Sequence, residues 1–233
     1  ISACLVGSED VYKRQKIERA KHHVRSLRDC LDAFVATRPV RWSAEPIVGD
    51  PWAISMRCDI DAMPNEVPAV IGDIVHNART ALDLVAADLV RHKKNTTKNV
   101  YFPICENQDG LREIIKRRNF DRAGQAAVKF VVALKPYRGG NIALRALHDL
   151  DILDKHMAIV PGYINTAGPI IQMFDDEGNH RPTIVSDPNE PSDLRFVLPE
   201  NVPLAGQELV PTLQGLVQLS EGIVESLIAL ADT

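Results

Sequence analysis

The chain has 233 residues, of which 45% are hydrophobic and 25% charged, and its net charge is −4. This composition is typical of a globular protein and excludes a collagen-like chain, a disordered tail and a coiled-coil rod. No stretch approaches 18 uninterrupted apolar residues, so the sequence predicts neither a membrane span nor a membrane partner. The four cysteines are scattered without a C-x-x-C pair, so we expect a cytoplasmic protein with no disulfide, no metal and no cofactor.

The first 15 residues differ in character from the rest. The run from Leu5 to Gln15 resembles translated sequencing-adapter read-through, which occurs at the ends of metagenomic reading frames. It has neither the basic start nor the long apolar stretch of a signal peptide. We therefore expect residues 1–15 to be a non-native leader that the fold does not need, and residues 16–233 to form a single mainly helical domain.

The predicted elements begin with a helix. Apolar residues recur at helical spacing over 17–34, which predicts about five turns before Pro39 ends them. Residues 40–60 are predicted to be extended, with turns at Glu45-Pro46 and at Gly49-Asp50-Pro51, the second closing a hairpin. A second long helix is predicted from about residue 68 to residue 91.

The rest of the chain alternates short helices and strands. Asn141 is a good N-cap and opens a long helix. The remaining predictions, in chain order, are a short strand or extended segment at 100–104, helices at 111–118, 123–134 and 141–159, strands at 169–174, 182–185 and 194–198 around a turn at 175–179, and a last helix from near Pro211. Together they predict a mainly α (α+β) fold, a bundle of long amphipathic helices with a small antiparallel β-sheet.

The net charge conceals an asymmetry. Residues 1–140 contain 23 Lys and Arg against 17 Asp and Glu, whereas residues 141–233 contain 4 against 14. One interpretation is that the two parts neutralise each other across a shared fold. The other is a basic surface for a nucleic-acid partner, because clusters of Lys and Arg bind phosphates. The candidate clusters are 13–28, 91–98 and 116–122.

One side of the predicted second helix carries a polar cluster. At about 100° per residue, His76, Arg79 and Asp83 fall within about 60° of one another, flanked by Asp73 and Thr80. A histidine, a guanidinium and a carboxylate together can perform acid/base chemistry or bind an anion. The alternative is a solvated or interhelical polar face with an Arg79–Asp83 pair. The opposite side is apolar and consists of Ile71, Ile74, Val75, Ala78, Ala81, Leu82, Val85 and Leu89.

Asp154 falls inside the apolar stripe of the helix predicted over 141–159. A carboxylate that faces a core needs a partner, because burying an unpaired charge is costly. We expect that partner to come from the second helix, as Arg79 or His76. The alternative is that the helix ends before Asp154, whose carboxylate then caps a turn. Three further polar residues are expected around the rim of this helix: His148, Lys155 and His156.

Several short motifs resemble those of an uncharacterised family of bacterial proteins. The similar segments, in order, are 71–83 (GDxxHNLRSALDHL in the family), 102–104 (FPI), 136–140 (QPYxGG) and 153–156 (DKHR). The resemblance covers about residues 16–230 and implies a bacterial protein without implying an activity. The sequence departs from the family twice: Leu84 stands where the family has His, and Met157 where it has Arg.

The family's Arg-x4-His spacing is also that of HEPN (higher eukaryotes and prokaryotes nucleotide-binding) ribonucleases. In those proteins the Arg and His of one helix join the same pair of a second protomer to cleave RNA, so this resemblance implies a homodimer. The chain keeps Arg79 but has Leu84 in place of the His. A HEPN-like protein with this sequence would lack the residue that transfers the proton.

Two hypotheses follow. The first is a non-catalytic binding or scaffold protein, in which Asp73, His76, Arg79, Asp83 and Asp154 form a buried polar network. The second is a hydrolase acting on RNA or a phosphate-bearing ligand. Its candidate catalytic residues are His76, Arg79, Asp83, Asp154 and His156, and its candidate ligand-binding residues are Asp73, Asn77 and Lys155. Burial separates the two, because a closed network indicates a scaffold and an open concave site indicates an enzyme.

Overall fold

A computed structural model describes residues 3–165, 171–174, 177, 180–184 and 194–231 of the chain. Helices form 58% of the protein, which confirms the mainly α (α+β) class. The described helices are α1 (Ala3–Ala36), α2 (Glu66–His92), α3 (Leu111–Arg117), α4 (Gln125–Leu134), α5 (Ile142–Asp154) and α6 (Leu209–Ala231). The described strands are β1 (Val40–Ile47), β2 (Asp50–Ile60), β3 (Gly162–Asn165), β4 (Ile171–Phe174), β5 (His180–Ile184) and β6 (Leu194–Val197).

The core lies between α1, α2 and α6, which pack against one another, and α5 packs on α2 and α6. The apolar stripe predicted over 17–34 is buried along its whole length. The apolar face predicted for α2 is buried as well, from Ile71 to Leu89. Burial of these stripes supplies the main drive for folding, since each buried Leu or Ile side chain contributes about 1.5–3 kcal/mol.

The first helix begins at Ala3, earlier than the sequence pattern indicates. The side chain of Lys13 is only 3% exposed, and its Nζ lies 2.7 Å from Asp88 Oδ2 of α2. The predicted start of this helix near Ile17 is therefore wrong, because Lys13 already lies on α1 and faces the α1–α2 interface. The origin of residues 1–15 stays a prediction.

Among the described residues, α6 alone is long and apolar enough to cross a membrane, by length and composition. Its most apolar side packs against α1 and α2, with Leu213, Val217 and Leu227 at most 1% exposed. This side of α6 therefore forms part of the core.

The hairpin predicted over 40–60 is present, with β1 and β2 paired antiparallel from Val40–Ile60 to Pro46–Ile54. The additional turn predicted at Glu45-Pro46 is wrong, since β1 continues through both residues. The register shifts between Pro46 and Ile47, where a bulge accommodates the proline that cannot donate a ladder hydrogen bond.

The strands form separate antiparallel pairs instead of one sheet: β1 with β2, β3 with β6, and β4 with β5. Strand β4 lies within the predicted segment 169–174. Strand β5 overlaps the predicted segment 182–185 but begins earlier, at His180. Most of the predicted turn at 175–179, and residues 169, 170 and 185, lie outside the described residues.

The structure decides two points in the middle of the chain. Residues 100–104 form no strand, which excludes one of the two alternatives predicted for them, and Phe102 and Ile104 are buried. The helix predicted over 141–159 ends at Asp154, the last residue of α5. Its start is confirmed, because Asn141 Oδ1 accepts a hydrogen bond from Leu144 N at 3.0 Å, as an N-cap does.

Candidate functional site

The segments with family-like motifs meet at the contact between α2 and α5. The chain after Phe102 crosses α2, and the loop at 136–140 lies beside it, with Cys105 N bonded to Pro136 O at 3.0 Å. We call the polar residues at this place the α2–α5 cluster. They are His76, Arg79, Asp83, Arg145, His148, Asp149, Asp151, Asp154 and Lys155.

Arg79 is buried, and both terminal nitrogens of its guanidinium form hydrogen bonds. It is 7% exposed, its Nη1 donates to Asp83 Oδ1 at 2.6 Å, and its Nη2 donates to the carbonyl of Phe102 at 3.1 Å. Asp83 Oδ1 also accepts from Phe102 N at 2.8 Å. This confirms the Arg79–Asp83 pair. The pair satisfies both backbone groups of Phe102, which explains why this residue needs no strand partner.

His76 binds α5 through a carboxylate that the sequence did not single out. Its Nδ1 lies 3.2 Å from Asp151 Oδ1, and Asp151 Oδ2 accepts from Lys155 Nζ at 2.6 Å. Asp151 is only 6% exposed, whereas the side chain of His76 is 53% exposed. The other ring nitrogen, Nε2, lies 3.4 Å from Thr80 Oγ1. The imidazole is thus oriented by a buried carboxylate while much of its surface is open to solvent.

Asp154 faces α2, as its angular position predicts, but its predicted partners are wrong. In the described part of the chain, no hydrogen bond or ion pair joins Asp154 to Arg79 or His76, which bind Asp83 and Asp151. The carboxylate packs on Gly72, where a Cβ would overlap it. Partial burial, with Asp151 and Asp73 nearby, raises the pKa of Asp154 above its ordinary value of 3.8.

Arg145 ties α5 to the segment after Phe102. Its guanidinium makes a bidentate contact with Asp149 at 2.6 and 3.0 Å, donates to the carbonyl of Cys105 at 2.8 Å and pairs with Glu106 at 2.9 Å. Arg138 of the neighbouring loop binds the same Glu106 at 2.7 Å. These charge-assisted bonds fix the loop against the start of α5.

The loop at 136–140 depends on a glycine. A Cβ at Gly140 would come within van der Waals overlap of the Lys135 carbonyl and the Tyr137 ring. The close approach is stabilised by backbone bonds from Tyr137 and Asn141 to the Lys135 carbonyl, at 2.7 and 2.8 Å. The Gly-Gly motif thus has a structural explanation, as the neighbour of the α5 N-cap.

His148 is the least satisfied member of the α2–α5 cluster. Its Nδ1 is buried and has no hydrogen-bond partner among the described residues. Burial, followed by the nearby positive charges of Arg79 and Arg145, lowers the pKa of His148 from 6.5 to about 4. The imidazole is therefore neutral at physiological pH, which lets it pack near two guanidinium groups.

The remaining candidate residues are not members of the α2–α5 cluster. Asn77 is 5% exposed and donates to the carbonyl of Asp73 at 2.7 Å, so it is part of the helix surface that α1 covers. The Asp73 side chain is 59% exposed and lies 4.0 Å from His23 Nε2. His156 is exposed after the end of α5. The described residues contain no group of three His, Cys, Asp or Glu that could hold a metal ion.

The clefts that the structure describes lie away from the buried guanidinium of Arg79. Four of the clefts in the described region have volumes of about 310 to 470 Å³, and none of these four is lined by Arg79 or His76. The largest of the four lies between the first turns of α5 and the loop at 200–204, where Arg138, Arg145 and Asp149 form one wall. The other three lie along α1, two beside α6 and one beside α6 and β6.

Sequence reasoning missed Asp151, Arg145 and Asp149. A signal was present, because Arg145–Asp149 and Asp151–Lys155 are opposite charges four residues apart on a predicted helix. Asp154 falls inside the apolar stripe and Asp151 lies close to it in angle, so the helical wheel could not decide which carboxylate is more buried. Asp154 is the last residue of α5 and is half-buried, whereas Asp151 lies one turn inside the helix and is buried.

Comparisons of the chain with models of protein families, with curated proteins and with solved structures found no match.

Proposed function

We propose that this chain is a non-catalytic binding or scaffold protein, bacterial and cytoplasmic, in which the α2–α5 cluster holds helices and loops in place. The observation that carries the proposal is the state of Arg79, which is 7% exposed and bonded through both terminal nitrogens to Asp83 and Phe102. A guanidinium that is this buried is shielded from a substrate anion in solution. Its hydrogen bonds instead hold the backbone of Phe102 against α2.

A HEPN-like ribonuclease has less support. That chemistry needs an accessible Arg and a His five residues later, but Arg79 is buried and Leu84 is half-buried at the second position. An alkyl side chain cannot transfer a proton. The family-like motifs have structural contacts in the described residues, so they do not require a catalytic explanation.

A second candidate function, a hydrolase, is favoured by one observation. Asp151 orients His76 at 3.2 Å, and Thr80 lies 3.4 Å from the opposite ring nitrogen. A carboxylate that orients an imidazole toward a hydroxyl is the geometry of a general base. In this candidate His76 activates Thr80 or a water molecule, and Lys155 stands beside the same carboxylate at 2.6 Å.

The experiment compares the whole chain with a His76→Gln variant on two substrates, an RNA transcript and the diester bis(p-nitrophenyl) phosphate. The matched control is His156→Gln, because His156 is exposed and lies outside the α2–α5 cluster. We expect no turnover that distinguishes the wild type from either variant. Turnover that His76→Gln abolishes and His156→Gln leaves intact, in folded proteins, would show that the chain is a hydrolase.

A further inference from the structure

Two basic segments that are separate in sequence form one surface. Asn95 Nδ2 donates to the Arg122 carbonyl at 3.2 Å, and Asn119 Nδ2 donates to the Asn99 carbonyl at 3.2 Å. Tyr101 N donates to the Arg118 carbonyl at 3.3 Å. These bonds lay the loop after α2 along the segment that follows α3. We call the result the basic patch, which consists of Lys93, Lys94, Lys98, Lys116, Arg117, Arg118 and Arg122.

The charge of this surface is unbalanced. Segments 91–98 and 116–122 contain eight Lys and Arg and one acidic residue, Asp121, in a chain whose net charge is −4. Five of the basic residues are exposed and form no ion pair within 4 Å in the described ranges: Lys93, Lys94, Lys98, Lys116 and Arg117. Glu113 lies one turn before Lys116 and Arg117, yet neither pairs with it. The cations are directed to solvent.

The helix dipole explains only part of this pattern. Cations are favourable near helix C-termini, which accounts for Lys93 after α2 and for Lys116 and Arg117 at the end of α3. Lys98 and Arg122 lie outside both helices and gain little from that effect. Gathering seven like charges on one surface costs free energy unless an anion neutralises them.

An aromatic ring lies at the edge of the basic patch. Tyr101 is 42% exposed, and the guanidinium carbon of Arg118 lies 5.2 Å from the centroid of its ring. Arginine and tyrosine planes at this distance offer a stacking platform for a base. A surface that inserts into lipid exposes apolar side chains beside its basic ones. Segments 91–98 and 116–122 expose none, and the Tyr101–Arg118 pair at their edge suits a base, which favours a nucleic acid.

We propose that the basic patch binds the phosphate backbone of a nucleic acid, with Tyr101 and Arg118 contacting a base when the partner is single-stranded. The Lys and Arg side chains neutralise phosphates and release counterions, which makes the binding dependent on salt. This inference goes beyond the proposed function, since it concerns a surface outside the α2–α5 cluster and holds whether or not His76 is catalytic.

The test is fluorescence anisotropy of the whole chain with a labelled single-stranded RNA of about 20 nucleotides and with a DNA duplex of equal length. The patch variant carries Lys93→Gln, Lys94→Gln, Lys116→Gln and Arg117→Gln. The control variant carries Arg38→Gln, Arg41→Gln, Arg57→Gln and Lys135→Gln, which changes the net charge equally at exposed positions outside the three basic clusters of the sequence. Titrations are run between about 50 and about 200 mM KCl.

We expect the patch variant to bind about tenfold or more weakly than the wild type, and the slope of log Kd against log salt to fall by about 2–4. The control variant should bind within about threefold of the wild type. Tyr101→Ala should weaken binding of the RNA about fivefold or more and leave the duplex unchanged, because only the single strand offers unstacked bases.

Three outcomes would overturn the proposal. The first is no binding of either probe at about 100 µM protein and low salt. The second is an equal loss in the patch and control variants, which would show a response to net charge alone. The third is binding to anionic lipid vesicles without binding to either oligonucleotide.

Discussion

The unusual residue of the α2–α5 cluster is His148, a neutral imidazole near two arginines. Its pKa is about 4, below its ordinary value of 6.5, because it is buried and close to positive charge. Between these two pH values the unfolded chain binds a proton that the folded chain does not. The contribution of His148 to stability is therefore complete above about pH 6.5 and is lost as the pH falls toward 4.

This linkage gives a prediction at the residue scale. His148→Gln should flatten the decline in the free energy of unfolding between pH 6.5 and about 4, by up to about 3 kcal/mol. Urea denaturation of both proteins at several pH values measures the difference. His156→Gln serves as the control, since His156 is exposed. Parallel pH profiles for the wild type and His148→Gln would show that His148 titrates normally.

At the scale of elements, α2 and α5 approach closely at one glycine. The carboxylate of Asp154 occupies the space that a Cβ at residue 72 would take. Gly inside a helix is normally less stable than Ala by about 0.5–1 kcal/mol, because it has more freedom to lose on folding. In α2 that preference should be reversed, since the α5 carboxylate blocks the position.

Gly72→Ala should therefore destabilise the protein by about 1–3 kcal/mol, the usual cost of overpacking. In an Asp154→Ala background the same change should become neutral or stabilising, since the space is then free. Thermal unfolding of the four proteins measures the coupling. A stabilising Gly72→Ala change in the wild-type background would place Asp154 elsewhere.

Periodicity predicted the elements that bury a regular stripe and failed where other contacts decide. The apolar faces of α1 and α2 were recognised because each repeats at helical spacing over many turns. Residues 100–104 were predicted to be a short strand or an extended segment, and the strand is absent because Arg79 and Asp83 satisfy the backbone of Phe102. A sequence pattern carries no information about such a distant pair.

The same limit applies to the site. The i,i+4 pair of Arg79 and Asp83 was found because both residues lie on one helix. The contact between His76 and Asp151 joins residues 75 positions apart, and it depends on how α5 docks on α2. The angular position of Asp154 gave the correct direction but not its surroundings.

At the scale of the whole molecule, the structure shows where part of the excess positive charge of residues 1–140 lies. Much of the positive charge of residues 1–140 lies in the basic patch, away from the ion pairs that link α1 to α2 and α6, such as Lys21–Glu221 at 2.5 Å. The two parts of the chain therefore do not simply neutralise each other. The buried charges of Arg79 and Asp151 in the α2–α5 cluster are paired, whereas five of the seven cations of the basic patch are exposed and form no ion pair in the described ranges.

The central claim is that Arg79 and Asp83 hold the fold together and do not bind a substrate. A double-mutant cycle on the whole chain, with Arg79→Met and Asp83→Asn measured by urea denaturation, tests it most directly. We predict that each single change costs about 3 kcal/mol, because it leaves a partly buried charge or backbone group unpaired. The double variant should cost at least about 1 kcal/mol less than the sum. Single variants within about 0.5 kcal/mol of the wild type would contradict the account, since the pair would then be dispensable for stability.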